Sequence, residues 1–228
     1  MRYLLQIGIG VFLLAQSAQA EVRADLNNLF TYRHFGVATA GLGLAAIAHT
    51  QDNEVEGSLR ETFIGRGPSD ITNVYGASSF NLPASFGIWG LGKATGRGAM
   101  EETGAALLRT LALTQLVVGP IKFAVGRERP DGSNRLSFPS GHTANSFAVA
   151  RFLHRCYGRR VGIPMYAVGG FVAAGRIEDD RHYLSDVVMG AVLGAIVGNA
   201  VTLERQERVS VTPQIVSGSL LLELRVDL

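Results

Sequence analysis

The sequence predicts an all-α protein: a compact helical bundle of about six core helices, followed by a small C-terminal β-hairpin. Three observations lead there. Apolar, Gly/Ala-rich stretches of helical length recur from Phe35 onward. Gly190, Gly194 and Gly198 line one face of a helix with glycine, which lets a neighbouring backbone approach closely. After Glu204-Arg205 the pattern changes to period two, with Leu222, Leu224, Val226 and Leu228 alternating with Glu223, Arg225 and Asp227.

Residues 1–20 read as a signal peptide. Arg2 is the charged start, Leu4 to Leu14 the apolar region, and Ala18-Gln19-Ala20 a small-x-small cleavage site. Residues 21–208 are then a helical domain and residues 209–228 the hairpin. Glu21 to Tyr32 is a polar, amphipathic lead-in, and Phe35 to Ala48 an apolar helix. Gln51 to Arg66, with Glu54, Glu56, Arg60 and Glu61, reads as a solvated helix or loop. Gly65 to Ser69 breaks the chain, with Ser69 or Asp70 as an N-cap for the next helical stretch. Ile71 to Gly92 reads as two short helical pieces broken near Pro83. Glu101 and Glu102 suit the first turn of a helix that runs to about Val125. Arg127 to Phe138 is a loop punctuated by Pro130 and Asp131-Gly132. Helices then run from Ser140 to about Cys156, Val161 to Gly175 and Tyr183 to Leu203, before strands Val209 to Val216 and Leu220 to Leu228 around Ser217-Gly218.

The 228 residues suffice for one domain with a real core. Charged residues make up 18% and the mean hydropathy is +0.20, apolar for a soluble domain and mild for a polytopic membrane protein. The net charge of +2 comes without a basic run, so nothing points to nucleic acid. Cys156 is the only cysteine, which excludes an internal disulfide and a cysteine-based zinc site. A spanning helix needs about 20 mostly apolar residues. Phe35 to Ala48 and Val161 to Gly175 are shorter, and Thr143 to Leu153 contains Asn145, Ser146 and Arg151. Arg155, Arg159 and Arg160 mark a cytoplasmic side by charge, whereas a cleaved leader puts residue 21 outside. A bundle resting on a membrane, not crossing it, reconciles the two and is the expectation.

The chemistry is concentrated between Lys122 and Asp186, in three clusters. In KFAVGRERP, Lys122 and Arg129 are two helical turns apart and share a face if the helix continues, whereas Arg127 points elsewhere, into solvent. A lysine point charge and an arginine fork both suit phosphate, and both also merely complement a helix C-terminus. In SFPSGHTA, Ser140 opens a helix whose free N–H groups suit an anion. Gly141 lets that backbone come close, and His142 stands over it with a ring fit for proton transfer. Alone, these are equally an N-cap and a surface histidine. In GRIEDDRHYLSD, His182 and Asp186 are spaced to face one way on a helix. The carboxylate can hold one ring nitrogen and leave the other free to attack, although the same spacing makes a plain surface pair or two metal ligands. Arg176 reaches the same anion from the preceding helix.

Together, K-x6-RP, PSGH and R-x5-H-x3-D resemble the signature of the type 2 phosphatidic acid phosphatase and vanadium-dependent haloperoxidase superfamily. One position departs: Gly175 stands where that family usually has serine. The resemblance implies a phosphohistidine on His182, oriented by Asp186. It implies His142 as the acid that protonates the leaving oxygen. It implies Lys122, Arg129, Arg176, Ser140 and the Gly141 backbone as the phosphate-binding groups. His34, His49 and His154 match no motif position and are read as structural or surface residues.

The expected function is an exported, metal-independent phosphatase acting on phosphomonoesters or pyrophosphates, of lipids such as phosphatidate or an isoprenyl pyrophosphate. The alternatives are a periplasmic non-specific acid phosphatase acting on soluble phosphoesters and a vanadium-dependent haloperoxidase. No cofactor is expected, and vanadate is expected to inhibit as a transition-state mimic. The expected setting is the periplasm or a membrane surface, with the site outside the cytoplasm.

Overall fold

A computed structural model of the chain describes residues 19–55, 76, 78–201, 208–216 and 219–227. The expected leader, apart from its last two residues, lies outside the described residues. So do the Gly65 to Ser69 breaker, its N-cap and the Ser217-Gly218 turn. The long helices are α1 (Tyr32–His49), α2 (Ser78–Thr95), α3 (Gly98–Val125), α4 (Gly141–Tyr157), α5 (Arg159–Glu178) and α6 (Leu184–Ala200). A shorter helical run covers residues 19–29. Strands β1 (Arg208–Val216) and β2 (Ser219–Asp227) pair antiparallel, with Val209 opposite Val226 and Val216 opposite Ser219.

The helix ends follow local chemistry. Thr31 caps α1, its side chain accepting from the His34 N–H, and Ser140 caps α4 in the same way through Thr143. Gly126, at φ 58°, takes the left-handed conformation that stops α3 and turns the chain. The expected break at Pro83 does not occur, because α2 runs through it. Pro83 lies near the start of α2, where one missing N–H removes little of the ladder, and the Ser85 hydroxyl donates to the Asn81 carbonyl at 2.7 Å.

The glycine stripe does what its spacing requires. A methyl group at Gly194 would sit 2.2 Å from the Ala144 carbonyl oxygen, and one at Gly198 2.2 Å from that of Ala148. Thus α4 and α6 lie in parallel backbone contact at the centre of the bundle, joined by the antiparallel α5. Phe152, Leu111, Val118 and Val197 are fully buried around this pair. Residues 19–29 are tied to α3, where buried Asp25 accepts from Arg109 at 2.8 Å. Helix α2 runs antiparallel to α3, with Gly104 against the Trp89 backbone.

This alternation gathers the C-terminal ends of α1, α3 and α5 with the N-terminal ends of α4 and α6. Gly76 joins them, with its α-carbon facing His142. The opposite end carries Arg33, Arg155, Arg159 and Arg160. Between the two ends the outer faces are apolar. Phe35 and Phe123 are each 77% exposed, and Leu42, Ile47, Phe86, Leu116 and Ile163 also point outward. Among the described residues, α3 is the helix long and apolar enough to cross a membrane by length and composition.

Candidate active site

Every side chain singled out in the three clusters comes to one end of the bundle, by routes the sequence only partly indicates. Lys122 sits in the last turn of α3, where its ammonium donates to the Leu136 carbonyl at 2.7 Å. Arg129 does not share its helix face, because α3 has already ended at Val125. It lies in the following loop, which is pinned by the Arg129 N–H to the Asn134 carbonyl (3.0 Å) and by the Asp131 N–H to the Asp180 carbonyl (3.0 Å). The Arg129 Nε–H is buried without a hydrogen-bond partner among the described residues. Burial and neighbouring Arg181 lower the Arg129 pKa, against the pull of Asp131 and Asp186.

Ser140 and Gly141 open α4 beside this loop. Ser140 is fully buried, and its oxygen accepts from the Thr143 hydroxyl at 3.0 Å, so the serine is the helix cap while keeping its own proton to donate. Gly141 faces Lys122: a methyl there would lie 3.6 Å from Lys122 Cε. His142 comes next, within electrostatic reach of Arg176, His182, Arg129 and Lys122.

Arg176 ends α5, 3.5 Å from Asp179. The chain then turns so tightly that the N–H groups of Arg181 and His182 both donate to the Arg176 carbonyl at 3.1 Å. Asp180, at φ 56°, supplies the left-handed residue of that turn. His182 therefore does not sit on a helix with Asp186, as its spacing suggests. It precedes α6, and Asp186 is in the first turn of α6. The pairing arises because Asp186 folds back onto its own helix start, accepting from the Tyr183 N–H at 2.9 Å. His182 Nδ1 stands 3.6 Å from Asp186 Oδ2, beyond hydrogen-bond length but within strong electrostatic contact. His182 is 1% exposed. Burial drives its pKa down to about 4, partly opposed by the Asp186 carboxylate and reinforced by Lys122 and Arg176. The ring is neutral at neutral pH.

Three side chains that the sequence placed in solvent, or left unread, support this site. Arg127 is not solvated: its Nη1 donates to Asp186 Oδ1 at 2.8 Å and its Nη2 to Asp52 Oδ2 at 2.8 Å. Asp52 falls in the stretch read as solvated, yet it is 3% exposed. Burial raises its pKa, but Arg127, the Ser185 backbone, His49 and the Ser185 hydroxyl outweigh that and hold it below the usual carboxylate range. Ser137, fully buried, donates its hydroxyl proton to Asp186 Oδ2. Among the described residues, no group of three or more His, Cys, Asp or Glu side chains is placed to hold a metal ion.

Residues 103–210, which hold all three clusters, match the family model described as the PAP2 superfamily. The structure is similar to the crystal structure of the first transmembrane PAP2 type phosphatidylglycerolphosphate phosphatase from Bacillus subtilis. The TM-score is 0.58 at 26% identity, covering 73% of this chain and 92% of that one. Residues 103–210 belong to the PAP2 superfamily. Among curated proteins, this PAP2 chain is 44% identical over 93 residues to the lipid A 1-phosphatase of Porphyromonas gingivalis, which is 39% of this chain and 20% of that protein. It is 39% identical over 88 residues to the decaprenylphosphoryl-5-phosphoribose phosphatase of Mycobacterium tuberculosis, which is 34% of this chain and 48% of that protein. The PAP2 chain thus spans between a fifth and half of the length of these relatives.

Proposed function

We propose that this PAP2 protein is a membrane-embedded phosphatase that removes phosphate from a lipid phosphomonoester or pyrophosphate through a phosphohistidine on His182. One observation carries the reading. A neutral, buried imidazole lies among Lys122, Arg129 and Arg176, and the carboxylate behind it, Asp186, is already paired with Arg127. Arg127 therefore balances Asp186, and Lys122, Arg129 and Arg176 are the cations placed to stabilise a bound oxyanion.

The chemistry derives from that geometry. With Nδ1 turned to Asp186, His182 Nε2 carries the lone pair that attacks phosphorus. Lys122, Arg129, Arg176, the Ser140 hydroxyl and the Gly141 N–H hold the equatorial oxygens, which is most of what phosphoryl transfer needs. Once the negative charge of the bound phosphate favours its protonated form, His142 gives its proton to the leaving oxygen as the P–O bond breaks. It then takes a proton from the water whose oxygen bonds to phosphorus as the P–N bond breaks, releasing phosphate and restoring the lone pair of His182 Nε2. No step calls for a metal.

The lipid assignment rests on the apolar outer faces of α1, α2, α3 and α5, which suit hydrocarbon better than water. This favours a bundle within the membrane over one resting on it. The three similar proteins described above are each named for a lipid-borne phosphate. The arginine-rich end opposite the site matches the cytoplasmic signature, so the site faces outward. Phosphate release from phosphatidate, an isoprenyl pyrophosphate and a soluble aryl phosphate in detergent tests the reading. Turnover of a lipid substrate is expected, and it should vanish in His182→Ala. Unchanged turnover in that variant, or turnover of the aryl phosphate alone, overturns it.

A further inference from the structure

The phosphate chemistry above leaves one buried charge network without a role. It joins the segment after α1 to the start of α6. We propose that Arg127 and Asp52 are positioning residues: Arg127, held in place by Asp52, locks the Asp186 carboxylate in the orientation that presents His182 for attack. This rests on the phosphohistidine reading above.

The contacts are directional. Asp52 Oδ1 accepts from the Ser185 N–H at 2.9 Å, and its Oδ2 accepts from the Ser185 hydroxyl at 2.8 Å and from Arg127 Nη2 at 2.8 Å. His49 Nδ1 lies 2.7 Å from the same oxygen. Four groups thus converge on the Asp52 carboxylate, three of them on Oδ2. Arg127 Nη1 donates to the Ser185 hydroxyl oxygen at 2.6 Å and to Asp186 Oδ1 at 2.8 Å. The Tyr183 ring lies 3.9 Å beneath the guanidinium and fixes its plane. With Oδ1 taken by Arg127, Asp186 presents Oδ2 to Ser137, to the Tyr183 N–H and to His182. A carboxylate held on one oxygen alone could rotate; held on both, it cannot.

The fork is what makes this possible. One planar guanidinium bridges two carboxylates on separate elements, which a single ammonium cannot do with the same geometry. Asp52 also sets how much positive charge Arg127 delivers to Asp186. The two residues therefore act on His182 with opposite sign. Removing the Arg127 charge leaves the Asp186 carboxylate to attract a proton onto His182, which raises its pKa. Removing the Asp52 charge leaves Arg127 to act on Asp186 alone, which lowers it. Other charged or titratable groups among the described residues that face this network are His49, Lys122, Arg129, His142, Arg176 and Tyr183.

The test uses the full chain in detergent micelles, with Arg127→Gln, Arg127→Lys, Asp52→Asn and the Arg127→Gln/Asp52→Asn pair. Two quantities are read: the acid limb of kcat/KM, and the titration of the His182 ring by NMR, assigned with His182→Ala. Arg127→Gln should lower kcat about tenfold to a hundredfold with KM within about twofold, and Asp52→Asn about tenfold. Arg127→Lys should not restore kcat. The double variant should lose less than the two single losses combined. The acid limb and the ring titration should move up in Arg127→Gln and down in Asp52→Asn. Shifts in the same direction, no shifts, or full recovery with lysine overturn the proposal. A merely structural brace would change amplitude or folding without opposed shifts. If the wild-type protein releases no phosphate, the phosphohistidine reading fails by itself. The ring titration, which needs no turnover, still decides whether Arg127 and Asp52 govern His182. Asp52→Asn preserves shape, so it keeps the proposal testable if the arginine variants do not fold.

Discussion

Gly190 of α6 lies against Ser140 so closely that a methyl group would sit 2.5 Å from the Ser140 carbonyl oxygen. Ser140 opens the turn that presents Gly141 and His142, and its own N–H donates to the Asp186 carbonyl at 2.9 Å. The glycine stripe therefore does more than pack two helices. It sets the distance between the phosphate-binding turn of α4 and the helix start that carries Asp186. Gly190→Ala should displace that turn and lower kcat/KM about tenfold or more, in line with an overpacking cost of about 1–3 kcal/mol. Gly170, with nothing within 4 Å among the described residues, is the control, and Gly170→Ala should leave kcat/KM unchanged and stability equal or slightly higher. Phosphate release and thermal unfolding of both variants, measured side by side, decide the matter; equal behaviour would refute the spacing role.

The buried, neutral His182 fixes a pH dependence. Its pKa is depressed to about 4 from the ordinary 6.5, so the nucleophile is available above about 4 and is lost as pH falls through that value. The acid limb of kcat/KM, which reports the free enzyme, should lie near 4 and not near 6.5. A rate profile from acid to neutral pH checks this, with the ionisation of the substrate measured separately. An enzyme limb at the ordinary histidine value would show that His182 is not the titrating nucleophile.

Much of this arrangement was legible in the sequence. The helix from Glu101 to Val125, the start at Ser140 and the close approach along Gly190, Gly194 and Gly198 come from local signals. The expectation that Lys122, Arg129, His142, Arg176, His182 and Asp186 meet at one place comes from the resemblance of the three motifs taken together, not from any local signal. What was not legible depends on where one helix stops and on what arrives from far away. Lys122 and Arg129 share a face only if α3 continues, and the left-handed Gly126 ends it and swings Arg127 inward instead. Asp52 meets Ser185 across 133 residues, and a single aspartate in a charged stretch gives no local sign of burial. Its neighbours Glu54 and Glu56 made the stretch look solvated. The outward-facing Phe35, Phe123 and Ile163 count as ordinary core residues until packing shows which way they point.

Ser137 donates its hydroxyl proton to the same Asp186 oxygen that faces His182. A hydrogen bond to a charged acceptor contributes about 1.5–3 kcal/mol. Ser137→Ala should therefore lower kcat about tenfold or more while leaving KM nearly unchanged, because the serine touches the carboxylate and not the phosphate. Steady-state kinetics on a lipid phosphate measure this. A rise in KM with unchanged kcat would place Ser137 in substrate binding instead.

Arg129 presents a buried Nε–H without a partner among the described residues, beside the cations that would hold the phosphoryl oxygens. Vanadate, a mimic of the phosphoryl transition state, should inhibit competitively. Arg129→Ala should weaken that inhibition about tenfold or more and lower kcat/KM in parallel, and Arg129→Lys should recover only part of either, since an ammonium cannot reproduce the fork. Inhibition titrations against the wild-type protein give the comparison. Equal vanadate affinity in Arg129→Ala would remove this residue from the anion site.

The orientation in the membrane can be read from two positions. Cys156, near the end of α4, lies at the arginine-rich end, and Asn134 is exposed in the loop beside Arg129. If the site faces outward, a membrane-impermeant maleimide should label Asn134→Cys in a Cys156→Ala background in right-side-out vesicles. The native Cys156 should react only after lysis. This orientation has a consequence for the leader. If α1 and α2 cross together with α3, Thr31 lies on the cytoplasmic side, which is incompatible with a cut after Ala20 on the outer face. The mass of the purified protein should then retain residues 1–20. A mature chain beginning at Glu21 would mean that one of these three helices does not cross, and labelling of Cys156 in intact vesicles would reverse the orientation altogether.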